Sequence, residues 1–118
     1  MKYFRFIFSF ILIAFVSCTI SLEKPDLIFH KSKLERKKNA PFSDAVEAGS
    51  TLYLAGQVGI NPKTKELAGN TIITQTEQAL QNIKKVLEHH GSDLEHVVKC
   101  TVILSDLNDF KDFNTIFR

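Results

Sequence analysis

The spacing of apolar residues changes along this chain, and that change limits its fold more than any other feature. From Thr51 to Gln57 apolar positions alternate, with Leu52 and Leu54 on one side and Thr51, Tyr53 and Ala55 on the other. Val58 to Ile60 extends this strand, and Phe42 to Ala48 offers a strand before it, with Gly49-Ser50 as the turn. After Thr74 the spacing turns helical. Leu80, Ile83 and Leu87 recur on one face, widened by Thr76, Ala79 and Val86, with Lys84, Lys85 and Glu88 opposite. Val97 to Leu104 is β-branched again and reads as the strongest strand. This order predicts an α+β domain in which helices pack on one face of a mixed sheet.

Local signals mark the ends of these elements. Thr74 with Glu77 three residues on reads as a capping box. Gly91 stands where a helix C-terminus favours glycine. Asn61-Pro62-Lys63-Thr64-Lys65-Glu66 is a turn, with proline fixing one φ, and Leu67 to Gly69 closes the hairpin. Asp106-Leu107-Asn108-Asp109 caps a second helix, in which Phe110, Phe113 and Phe117 fall on one apolar face.

The N-terminal segment is not part of this domain. Lys2 and Arg5 form a basic start, Ile7 to Val16 is apolar apart from Ser9, and Ser17-Cys18 follows directly. That is the layout of a secretory signal, and the apolar run is shorter than the roughly 20 residues that span a bilayer. A cysteine at this point resembles a bacterial lipoprotein cleavage site, although Phe15 stands where that pattern usually has Leu. The reading is a signal peptide over 1–17, lipidation at Cys18, a tether over 18–38 and a domain over 39–118. Within the tether, Leu27-Ile28-Phe29 offers a short edge strand. The protein is expected to be exported to the periplasm or cell envelope and held at the membrane by its lipid.

Charge argues against a nucleic-acid partner. The chain carries a formal +2, but from Asn39 onward seven basic residues face ten acidic ones, net −3. A polyanion-binding domain carries its basic face on the folded part. Here the excess of Lys24, Lys31, Lys33, Arg36, Lys37 and Lys38 lies in the tether, near anionic headgroups if the chain is anchored. No Gly-rich phosphate loop, CxxC or HExxH occurs, and no cofactor is implied. His89 and His90 point about 100° apart on a helix, so they do not readily share an ion, and only Glu95 and His96 stand near as further ligands. No metal site is expected, and the two histidines are read as helix-terminal residues helped by the macrodipole. Cys100, in its β-branched run, is expected to pack as a small hydrophobe.

Several motifs together resemble the reactive-intermediate deaminase (RidA) family. They are Pro41-Phe42-Ser43-Asp44-Ala45-Val46, the run Leu52 to Leu67 with Gly56-Gln57 and Asn61-Pro62-Lys63-Thr64, and Gln78-Ala79-Leu80-Gln81-Asn82-Ile83. Val97 to Asn114, with Asp106-Leu107-Asn108-Asp109-Phe110, completes the set. The resemblance covers Asn39 to Phe117. It implies a chorismate-mutase-like fold, a homotrimer with ligand clefts between subunits, and hydrolysis of enamine and imine acids such as 2-aminoacrylate to 2-oxo acids and ammonia. Residue by residue it implies substrate contact at Phe42, often tyrosine in the family, and at Gly56, Gln57 and Asn114. Ala55 stands where many members have serine. Lys65 stands where the family usually has glycine, at a cost of about 1 kcal/mol if the position is left-handed.

The family's last strands, with a Pro-Ala-Arg segment that binds the substrate carboxylate and a late glutamate, have no counterpart within these 118 residues. Arg118 aligns within the second helix and is not that arginine. The expectation is therefore a C-terminally incomplete domain whose catalytic residues are not assigned. Three functions follow from it: an imine deaminase of reduced activity, a catalytically silent domain binding small carboxylates or imines, and an endoribonuclease.

Overall fold

A computed structural model describes residues 24–32 and 39–118. The leader, Cys18 and the basic residues Lys33, Arg36, Lys37 and Lys38 lie outside the described residues. Three short strands form one antiparallel sheet in the order β1 (Leu27–His30), β2 (Ala45–Ala48) and β3 (Thr51–Leu54). Helix α1 (Ile72–His89) follows, then 3₁₀ turns at Leu94–His96 and Leu107–Asp109, then helix α2 (Phe110–Phe117). The α+β reading stands, and the ladders among the described residues are all antiparallel.

The sheet is built on a two-residue hairpin. Ala48 pairs with Thr51, so Gly49 and Ser50 alone make the turn. Gly49 has φ +59 and Ser50 does not have a positive φ, as a type II′ turn requires. On β3, Leu52 and Leu54 are half-buried while Thr51 and Tyr53 are exposed, so the alternation in sequence is the alternation in space. Opposite them Ala45 is buried. β1 pairs on the other edge of β2, with Leu27 against Ala48 and His30 against Ala45. The edge strand at Leu27-Ile28-Phe29 is therefore present.

β3 ends at Leu54, earlier than the alternation predicts. Beyond it the chain makes one more contact with its neighbour, Ala55 N donating to Asp44 O at 3.0 Å, and then leaves the ladder. It turns at Asn61, whose carbonyl accepts from Lys65 N and whose amide donates to Glu66 O, both at 2.8 Å. The Asn61 side chain accepts from Lys63 N at 2.9 Å, an Asx turn that pre-shapes the loop. Ile60 and Leu67 close it as an isolated antiparallel bridge. Lys65 sits at φ +67, so the left-handed cost applies. Lys65→Gly should raise the unfolding free energy by about 1 kcal/mol, less a few tenths for the freer unfolded chain. Urea unfolding checks this: a higher midpoint at unchanged m is expected, and an unchanged or lower midpoint would contradict it.

Helix α1 begins earlier than the capping-box reading placed it. Its N-cap is Thr71, whose hydroxyl accepts from Thr74 N at 3.3 Å. Thr74, read as the cap, is instead in the first turn and donates its hydroxyl to Thr71 O at 3.0 Å. The pair Thr71/Thr74 satisfies the end of the helix without Glu77, so helix can extend back through Ile72 and Ile73. The C-terminus is as predicted. Ser92 N donates to Leu87 O at 3.0 Å and Gly91 N to Glu88 O at 3.2 Å, with Gly91 at φ +75, the two bonds of a Schellman motif.

The helical stripe is buried unevenly. Leu87 and Thr76 are buried, while Leu80 and Ile83 are half-buried. Against α1 packs α2, through Phe113, which is 7% exposed and stacks on Phe117 at 5.0 Å between centroids. Phe110 and Phe117 remain exposed. Val97 to Leu104, read as the strongest strand, has no ladder partner among the described residues. β-branching makes a backbone extended, but a strand exists only where a neighbour takes its hydrogen bonds. Among the described residues no layer covers this segment, and Val98 is 95% and Ile103 90% exposed. Cys100 is exposed for the same reason, not packed as a small hydrophobe.

Candidate functional site

The residues singled out from the sequence lie at the end of the sheet where β3 leaves its ladder, and on α2. Phe42 is exposed just before β2, and its carbonyl accepts from Lys31 Nζ at 3.4 Å. Gly56 lies just past β3, and a side chain there would meet nothing within 4 Å. Gln57 is half-buried and donates its Nε2 to Ala55 O at 3.2 Å, which among the described residues leaves its carbonyl oxygen available. The bond between Ala55 N and Asp44 O ties this segment to the one carrying Phe42. Phe42, Gly56 and Gln57 therefore occupy one end of the β2–β3 pair.

Asn114 is placed apart from them. It is half-buried on α2 and, in the amide orientation that satisfies both groups, its Oδ1 accepts from Arg118 Nε and Nη2, each at 3.2 Å. Among the described residues no hydrogen bond joins Asn114 to Gly56 or Gln57. Within one chain the structure groups three of the four residues.

What fixes the height of the Gly56–Gln57 segment is a residue whose role sequence reasoning missed. Asn82, on α1, donates Nδ2 to Val58 O at 3.0 Å and to Ile60 O at 2.9 Å. Gln78 Nε2 donates in turn to Asn82 Oδ1 at 3.0 Å. Between those two carbonyls Gly59 is buried against the helix, so close that an added Cβ would lie 2.6 Å from Gln75 Cα. The signal was present: an asparagine at a half-buried helical position must find partners for its amide, and a glycine inside a strand pattern marks close backbone approach.

The histidines fall into two separate groups. His96 Nδ1 donates to Asp93 Oδ1 at 2.7 Å, and Asp93 also accepts from Glu95 N and His96 N as an N-cap. The hydrogen bond from His96 holds the Asp93 carboxyl below its usual value. His89 and His90 turn the other way, toward His30 of β1. The His30 and His90 rings lie 4.3 Å apart and those of His89 and His90 5.0 Å apart. Among the described residues no group of three or more histidines, cysteines or carboxylates is arranged to hold a metal ion.

Residues 33–118 match the family described as Endoribonuclease L-PSP. A RutC family protein of Pyrococcus horikoshii is 46% identical over 81 residues, 69% of this chain and 64% of that protein. The 2-iminobutanoate/2-iminopropanoate deaminase of Mus musculus is 40% identical over 78 residues, 66% of this chain and 58% of that one. The chain thus spans less than two thirds of the length of these curated relatives. The crystal structure of RidA from a Psychrobacter species superposes with a TM-score of 0.63 at 35% identity, covering 80% of this chain and 72% of that one. The YjgF gene product of E. coli gives 0.68 at 30% identity, covering 76% and 70%. Both neighbours have the chorismate-mutase-like fold. On the matched domain, the relatives and the fold together, the chain belongs to the endoribonuclease L-PSP family, the RidA family.

Proposed function

We propose that this protein is an exported, lipid-anchored RidA-family deaminase that hydrolyses 2-imino acids to 2-oxo acids and ammonia. The observation that carries this reading is the 40% identity to the mouse 2-iminobutanoate/2-iminopropanoate deaminase across the domain. In the reaction a water adds to the imine carbon, the C=N bond becomes a carbinolamine, and loss of ammonia leaves the ketone. The cleft lies between subunits of a homotrimer. Gly56 presents backbone close to the substrate, the free carbonyl oxygen of Gln57 accepts from the water or the imine N–H, and Phe42 forms an apolar wall. Asn114, apart from these three within one chain, reaches the cleft from a neighbouring subunit.

A second reading has its own support. Phe42 and Ala55 stand where many family members carry the hydroxyls of tyrosine and serine, so this cleft has fewer groups to orient a water. A catalytically silent domain that binds small carboxylates or imines fits that composition. RNA cleavage is disfavoured by the net −3 charge of residues 39–118. Ammonia release from enzymatically generated 2-aminoacrylate, with particle size measured in parallel, tests the proposal. Release that saturates with imine supports the deaminase, and saturable binding by a trimer without release supports the second reading.

The anchor is tested separately. Expressed in a bacterium fed labelled palmitate, the protein should take up label, and Cys18→Ser should abolish it. Label that survives the substitution would contradict lipidation at Cys18. Loss of label in Cys18→Ser would leave the acyl chains at Cys18 to account for the anchor, since two or more chains hold stably where a single one does not.

A further inference from the structure

His30, Glu47, His89 and His90 come from β1, β2 and the end of α1, and meet at one edge of the sheet. Nothing in the imine chemistry uses them. β1 is a four-residue strand whose Leu27, Ile28 and Phe29 are exposed. Beyond its ladder with β2, β1 is tied to the rest of the domain among the described residues through His30. That ring rests on the His90 ring at 4.3 Å and 47°, and its Nε2 donates to Glu47 Oε2 at 3.3 Å. We propose that this cluster is a pH-operated clasp: neutral rings fasten the edge strand β1 to the C-terminal end of α1, and protonation of the facing rings opens it.

The direction follows from the charges on every side. Protonating His30 and His90 together sets two cations in ring contact, with His89 a third at 5.0 Å from His90. Three things oppose this: the carboxylates of Glu47 and Asp44, and the negative end of the helix dipole, which favours a cation at its last turn. The balance goes against charge. Burial first, then His30 and His89, push the His90 imidazole below its usual 6.5, outweighing Asp44 and Glu47. A base held below its usual value in the folded state adds stability at pH above 6.5, and that stability is lost as pH falls through the lowered value. The clasp therefore closes at neutral pH and opens on mild acidification. Opening uncovers the backbone N–H and C=O groups of β2, a sheet edge able to pair with another strand.

The test is amide hydrogen exchange of the full chain at pH 7.5 and 5.0, corrected for the intrinsic pH dependence of exchange. The protection of Leu27 to His30 relative to the middle of α1 should fall several-fold at the lower pH. His90→Gln, which cannot charge, should abolish that fall while leaving the protection of α1 unchanged. Glu47→Gln, which removes a compensating carboxylate, should enlarge it. Equal β1 protection at both pH values would overturn the clasp, as would a full fall persisting in His90→Gln. If His90→Gln does not fold, His30→Gln removes the same ring pair from the other side and carries the same expectations.

Discussion

Gly59→Ala should destabilise the domain by about 3 kcal/mol, a mid-range overpacking cost together with the weakening of two hydrogen bonds. The added methyl would lie 2.6 Å from both Cα and O of Gln75, and these are backbone atoms of α1 that cannot rotate away. Carbon atoms rest comfortably at about 3.5–4.0 Å, so either the helix or the loop must retreat by roughly 1 Å. Retreat stretches the bonds from Asn82 to Val58 O and Ile60 O, now at 3.0 and 2.9 Å. Those carbonyls are what hold the loop after Gln57 against the helix. Urea unfolding measures the effect as a lower midpoint. Gly56→Ala is the control: it meets nothing within 4 Å and has no positive φ, so its stability should change by less than about 0.5 kcal/mol. A loss below 1 kcal/mol in Gly59→Ala would show that α1 is not pinned on this loop.

Gln57→Ala should lower kcat/KM for imine hydrolysis about tenfold to a hundredfold, or about 1.4–2.7 kcal/mol of transition-state binding. Its Nε2 is already held by Ala55 O at 3.2 Å. That bond fixes the amide orientation and turns Oε1 toward a water or imine N–H that needs an acceptor. A pre-oriented acceptor contributes most when charge develops. Because the side-chain bond lost among the described residues is a local one, stability should fall by no more than about 1 kcal/mol. An unchanged kcat/KM would remove Gln57 from the cleft.

The long helix and the first hairpin were legible because their signals are local. Gly91 ends α1 through backbone sterics, and the alternation of Leu52 and Leu54 sets which side of β3 is half-buried. Lys65 was legible as a left-handed position only by resemblance, since lysine itself carries no such signal. The N-cap moved from Thr74 to Thr71 because both threonines have suitable hydroxyls, and the choice between them depends on how far Ile72 and Ile73 continue the helix. Val97 to Leu104 misled because β-branched residues report backbone shape and not the presence of a partner. Gly56 and Gln57 were singled out by motif alone. Asn82 was not, because its role depends on two carbonyls that the hairpin carries back against the helix. The ring contact of His30 with His90 was invisible for the same reason: it joins the first strand to the end of the helix, and no spacing in the sequence encodes it.

Steady-state ammonia release from 2-aminoacrylate is the most direct test of the proposed turnover of imino acids by this RidA-family chain. The folded protein should accelerate release above the rate in buffer, saturate with imine concentration, and lose most of that acceleration in Gln57→Ala. A folded protein that binds the imine and leaves the rate of ammonia release at the buffer value would contradict it.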